Sequence, residues 1–130
     1  MDAPAVAVSA DGKRVAVAWM DERARGNRDV WWRVATSGKF AEERPLHDEA
    51  ANLQAHPALA IDEAGIVHAA WEDGRSGPTK IYYASSAGGK NQAVSGEGRA
   101  AFPSLVCTKS SVVIAWETGD EKVMARALPR

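Results

Sequence analysis

Three stretches of the chain repeat one pattern. "APAVAVSADGKRVAVAWMDERARGNRDVWWRVA" runs from Ala3 to Ala35, "HPALAIDEAGIVHAAWEDGRSGPTKIYYASS" from His56 to Ser86, and "FPSLVCTKSSVVIAWETGDEKVMARA" from Phe102 to Ala127. Prolines open the units at Pro4, Pro57 and Pro103, spaced 53 and then 46 residues apart. Alanine–tryptophan pairs close a segment of each unit at Trp19, Trp71 and Trp116, spaced 52 and then 45. The two markers drift together, so three of the five tryptophans stand in register. A repeat of this length is one supersecondary unit used several times, with the core buried between neighbouring copies.

Each unit reads as strands. After the proline, a short apolar run (Ala5 to Val8, Ala58 to Ile61, Ser104 to Val106) leads to a turn signal such as "ADG" or "DEAG". A second run, Val15 to Trp19, Ile66 to Trp71 and Val112 to Trp116, is apolar nearly throughout. That suits a strand covered on both faces within a stack of sheets. A polar loop follows, then a third strand: Val30 with Trp31 and Trp32, Ile81 with Tyr82 and Tyr83, Val123 with Met124. Units one and two add "SGKF" and "AGGK" turns and a weaker fourth segment. No capped segment of helical period competes with this reading.

Four strands in about 45–50 residues is the period of a β-propeller blade. A β-sandwich is the main competitor, and it does not need the Ala–Trp register. The expected fold is all-β, with blade 1 over about 3–46, blade 2 over about 56–96 and blade 3 over about 102–130. Blade 3 is expected to lack its outer strand, and the three blades to form half of a six-bladed ring. Trp19, Trp71 and Trp116 are expected to be buried at equivalent positions.

Composition narrows the function classes. Apolar residues make up 45% of the 130 and charged residues 25%, which describes a folded domain rather than a disordered chain. The net charge of -1 and the absence of a basic run argue against a nucleic-acid surface. No uncharged stretch is long enough for a membrane-spanning helix, and no membrane partner is expected. Cys107 is alone, no Cys or His cluster has zinc spacing, and no metal or cofactor is expected. His47, His56 and His68 are scattered and read as structural or solvated. "MDAPAV" lacks the basic and apolar regions of a signal peptide, and a chain starting just after a removed leader reads the same way.

The stretch from His56 to Lys90 resembles a blade of the sialidase-like, Asp-box (BNR-repeat) six-bladed propellers. Those blades run from a proline-led strand through a Gly turn to a strand ending in Trp-x-Asp-x-Arg, then close on an Asp-box hairpin. Trp19-Met20-Asp21-Glu22-Arg23 and Trp71-Glu72-Asp73-Gly74-Arg75 match the middle motif, and Trp116-Glu117-Thr118 keeps its start. The Asp box is eroded: Ala87 stands where its aspartate belongs, and the closing tryptophan is missing. The resemblance implies a secreted or periplasmic setting. It also implies a first catalytic arginine two residues before a blade-opening proline, where this chain has Asp2, Ala55 and Ala101. No catalytic site is therefore assigned.

The ligand-face candidates are Asp21, Arg23, Asp73, Arg75, Glu72 and Glu117. The Asp-x-Arg pairs serve either as a charged rim for an anionic or hydroxylated ligand, or as intraloop ion pairs that fix the turn. The second role has the greater weight. The aromatic doublets suit either a sugar-stacking platform or, with greater weight, packing between blades. The leading functional reading is a non-catalytic propeller module with a face for a glycan or a protein, closing its ring as a homodimer. The alternatives are a fragment or degenerate relative of a sialidase or other glycoside hydrolase, and an engineered propeller-assembly fragment.

Overall fold

A computed structural model of the protein describes residues 3–23, 28–48 and 53–130, which leaves Asp2 outside the described residues. Three antiparallel sheets follow one another along the chain, and no helix occurs among the described residues. The first sheet holds β1 (Ala5–Val8), β2 (Arg14–Asp21), β3 (Asp29–Thr36), β4 (Lys39–Phe40) and β5 (Arg44–Pro45), the last two both pairing with β3. The second holds β6 (Gln54–Ile61), β7 (Val67–Asp73), β8 (Lys80–Ser85) and β9 (Gln92–Ala93). The third holds β10 (Ala100–Cys107), β11 (Ser111–Thr118) and β12 (Val123–Pro129), with β12 at its open edge.

The repeat holds residue for residue. The residue after each proline faces the alanine before each tryptophan: Ala5 opposite Ala18, Ala58 opposite Ala70, Ser104 opposite Ala115. On the other side of the central strand, Trp19 faces Trp31, Trp71 faces Tyr82 and Trp116 faces Met124.

The innermost strands differ from the sequence expectation at their starts. β6 and β10 begin before their prolines, through a bulge between Ala55 and Ala58 and another between Ala101 and Ser104. Proline has no N–H to give to a ladder, so the strand bulges around it and resumes pairing beyond. His56 and Phe102, just ahead of the prolines, take the left-handed backbone region at φ 49° and 54°. The two rings meet at a centroid distance of 4.6 Å across the join between sheets.

The core lies between the sheets in two clusters that repeat each other. Ala18, Val30 and Leu46 of blade 1 receive Ala69 and Trp71 of blade 2. At the next join, Ala70, Ile81 and Val94 of blade 2 receive Ile114 and Trp116 of blade 3. Trp71 is completely buried and Trp116 nearly so, at 0% and 7% exposure. Trp19 is only half-buried, contrary to the expectation for all three tryptophans. Trp71 and Trp116 point toward the preceding blade, whereas among the described residues no second sheet covers the Trp19 face.

Backbone bonds fasten each blade to the next at matching positions. Gln54 N–H donates to the Arg28 carbonyl (2.9 Å) and Ala100 N–H to the Thr79 carbonyl (2.8 Å). Within blades 2 and 3 the inner ladder runs one step further, Gly74 N–H donating to Leu53 O (2.8 Å) and Gly119 N–H to Arg99 O (3.0 Å). Buried Gln54 adds a side-chain link, accepting from Val30 N–H (3.0 Å) and donating to Asp73 (3.3 Å). Gln54 and Ala100 are buried, so their N–H groups need these partners.

Candidate functional site

The Trp-x-Asp-x-Arg motif folds into a self-contained unit. Alternation along β7 puts Trp71 and Asp73 on one side, so Trp71 Nε1–H reaches Asp73 Oδ2 at 2.9 Å. The Asp73 carboxylate also accepts from Arg75 N–H (2.9 Å), Nε (3.0 Å) and Nη2 (2.8 Å). Arg75 then reaches Asp48 (2.9 Å) and Asn91 (3.0 Å), and its guanidinium lies 4.3 Å from the Tyr82 ring centroid. Blade 1 repeats the arrangement with Trp19, Asp21, Arg23 and Glu43, the Arg23 guanidinium 4.6 Å from the Trp31 centroid. Each Asp-x-Arg pair is an ion pair within its own loop, with Asp73 fully buried and Arg75 largely so. In blade 3, Thr118 replaces the aspartate and its hydroxyl accepts from Lys122 N–H at 3.1 Å.

The two glutamate candidates part company. Glu72 is buried at the join of blades 2 and 3, accepting from Phe102 N–H at 3.0 Å and pairing with His56. Glu117 occupies the equivalent register position in blade 3 and is exposed. Of the histidines, His68 is structural: it is buried, its Nε2 bonded to Asp62 at 2.8 Å and its Nδ1 to the Tyr83 hydroxyl at 2.8 Å. Arg130 from the end of blade 3 meets the same Asp62 carboxylate at 3.3 Å. Among the described residues no group of three or more potential ligands is arranged to hold a metal ion.

The loop ion pair has a measurable signature. Hydrogen bonds from the Arg23 side chain, opposed by desolvation, pull the Asp21 carboxyl down to about 2. Its stabilising contribution is therefore complete above the ordinary aspartate pKa of about 4. It is lost as pH falls through about 2. A carboxyl-carbon NMR titration is expected to place the Asp21 midpoint near that value, and Arg23→Ala is expected to move it back up toward 4. An unmoved midpoint in the variant would contradict the assignment of the cause.

A different group of residues lines a concavity between two of the blades. Between blades 1 and 2, near the β1–β2 and β6–β7 turns, a cleft of about 260 Å³ is lined by Trp32, Arg14, Arg33, Arg44, Glu42 and Ser86, among others. Trp32 is half-buried, its ring packed on the join between blades. Arg14 Nη1 donates to Gly65 O at 2.6 Å and Arg33 Nε to Ala41 O at 2.6 Å. Each of these bonds uses one of a guanidinium's five donors and fixes where the others point. The lining thus includes one tryptophan, three arginines and one glutamate. Of these six residues only Trp32, as half of an aromatic doublet, is a candidate from sequence. The arginines are far apart in sequence and carry no motif, so only the pairing of β2, β3 and β5 unites them.

No protein-family model matches the chain, and no curated protein matches it by sequence. Solved structures do match it in shape. A fucose lectin from Kordia zhangzhouensis, solved in complex with methyl-fucoside, superposes with a TM-score of 0.55 at 10% identity, over 98% of this chain and 92% of the lectin chain. TolB from Acinetobacter baumannii superposes with a TM-score of 0.50 at 12% identity, over 95% of this chain and 31% of TolB. The chain is built of β-propeller blades. At such low identity the likeness speaks for architecture only, and the sialidase and Asp-box assignment is not among what it carries.

Proposed function

We propose that the protein is a non-catalytic, carbohydrate-binding propeller module whose ligand lies in the cleft between blades 1 and 2. The observation that supports this most is the lining: Trp32 beside Arg14, Arg33 and Arg44, with Glu42 opposite in charge. A sugar offers an apolar ring face together with hydroxyls that both donate and accept. An aromatic surface with a few convergent charged groups is the matching chemistry. The cleft lies just under the range of roughly 300–1,000 Å³ of drug-sized pockets, which suits one sugar unit. Arginine in the lining favours a sugar that also carries an acidic substituent. The shape likeness to a lectin solved in complex with methyl-fucoside agrees with the class of ligand.

The glycoside-hydrolase alternative finds less support. Ala55 and Ala101 stand on the innermost strands where the resemblance asks for an arginine. The pure chain is expected to leave a fluorogenic sialoside intact.

The test is NMR titration with methyl-fucoside and with glucuronic acid. The Trp32 indole signal is expected to shift with at least one of them, and more with the acid. Arg44→Ala, at an exposed site, should weaken that binding about tenfold or more, equivalent to about 1.4 kcal/mol. No movement of Trp32 with either sugar at tens of millimolar, on the order of the weakest specific binding, would contradict the proposal.

A further inference from the structure

The two end blades each expose a face whose counterpart is buried inside the same chain. On blade 1 that face carries Trp19, Val6 and Val8, with Val6 65% and Val8 58% exposed. Strand register makes Val6 and Trp19 the equivalents of Leu59 and Trp71 in blade 2, and of Leu105 and Trp116 in blade 3. Those four side chains pack against the preceding blade. On blade 3 the opposite face carries Val123, 74% exposed, and half-buried Ala115. Their equivalents are Val30 with Ala18 and Ile81 with Ala70, all completely buried beneath the next blade's tryptophan.

We infer that the open face of blade 1 binds the open face of blade 3 of a second copy, Trp19 of each chain seating on Ala115 and Val123 of the other. The occupant is specified by continuity: the two faces are the two halves of an interface that the chain already forms twice. The apolar exposure calls for cover. A head-to-tail contact made once would leave one face open at each end of the pair. Made twice, it closes a six-blade ring with two-fold symmetry, within the usual four to eight blades. Three copies would need nine.

Sedimentation equilibrium of the 130-residue chain at low micromolar concentration tests this, together with Val123→Lys. Val123 is so exposed in the single chain that the change leaves the monomer fold intact, which circular dichroism verifies. The wild type is expected at twice the 13.9 kDa monomer mass. The variant is expected to be monomeric, with dimerisation weakened at least about a hundredfold, since two equivalent contacts are lost at once. A folded wild-type monomer, a ladder of larger species, or a variant that dimerises as well as the wild type would each overturn the inference.

Discussion

Replacing Trp71 by alanine is expected to lower the unfolding free energy by about 3–5 kcal/mol, the usual range for emptying a tryptophan site in a core. Trp71 is completely buried against Ala18, Val30 and Leu46 of the neighbouring blade. Its loss removes the burial at the join of two sheets and strands one of the Asp73 hydrogen bonds. Trp116→Ala falls in the same class, with Ala70, Ile81 and Val94 as the emptied surroundings. Trp19→Ala should cost clearly less when the chain is held monomeric, since its side chain is only partly buried. Urea denaturation of the three variants in a Val123→Lys background provides the comparison. Equal losses at all three positions would contradict the direction in which the blades stack.

Asp73→Ala is expected to be about as damaging, by about 3–5 kcal/mol, because it leaves a guanidinium buried without its closest partner. Arg75 would keep Asp48 and Asn91, but the three bonds it makes to the Asp73 carboxylate would vanish, along with those from Trp71 and Gln54. The matching change in blade 1, Asp21→Ala, touches the same kind of unit near the surface, where solvent screens the charges. It should cost a small fraction of the Asp73 loss. Midpoints from thermal and urea unfolding measure both, and a near-equal pair would show that burial is not what distinguishes the two loops.

Most of the fold was legible because it is written three times. The Pro and Ala–Trp markers set the register, and the register sets which side of each strand meets a neighbour. What escaped depends on three dimensions. Ala3 to Ala35 looks like a full repeat, but nothing in its residues tells whether another sheet covers its Trp19 face, so Trp19 was expected to be as buried as Trp71. The bulges at His56-Pro57 and Phe102-Pro103 were hidden for another reason. Proline reads as a boundary in sequence, whereas here the strand continues past it. The candidate site was legible only in part. The Asp-x-Arg pairs stand where the motif placed them, but Asp73 and Glu72 lie inside the joins rather than on an open rim. The cleft was not legible, because Arg14, Arg33, Arg44 and Trp32 are brought together by strand pairing rather than by spacing.

The central claim is that each blade inserts its tryptophan into a socket on the blade before it. Nuclear Overhauser contacts from the indole rings to methyl groups, in selectively labelled protein, test it most directly. The expected pattern joins Trp71 to Ala18, Val30 and Leu46, and Trp116 to Ala70, Ile81 and Val94. Indole contacts confined to each tryptophan's own sheet, with none across to these methyls, would contradict it.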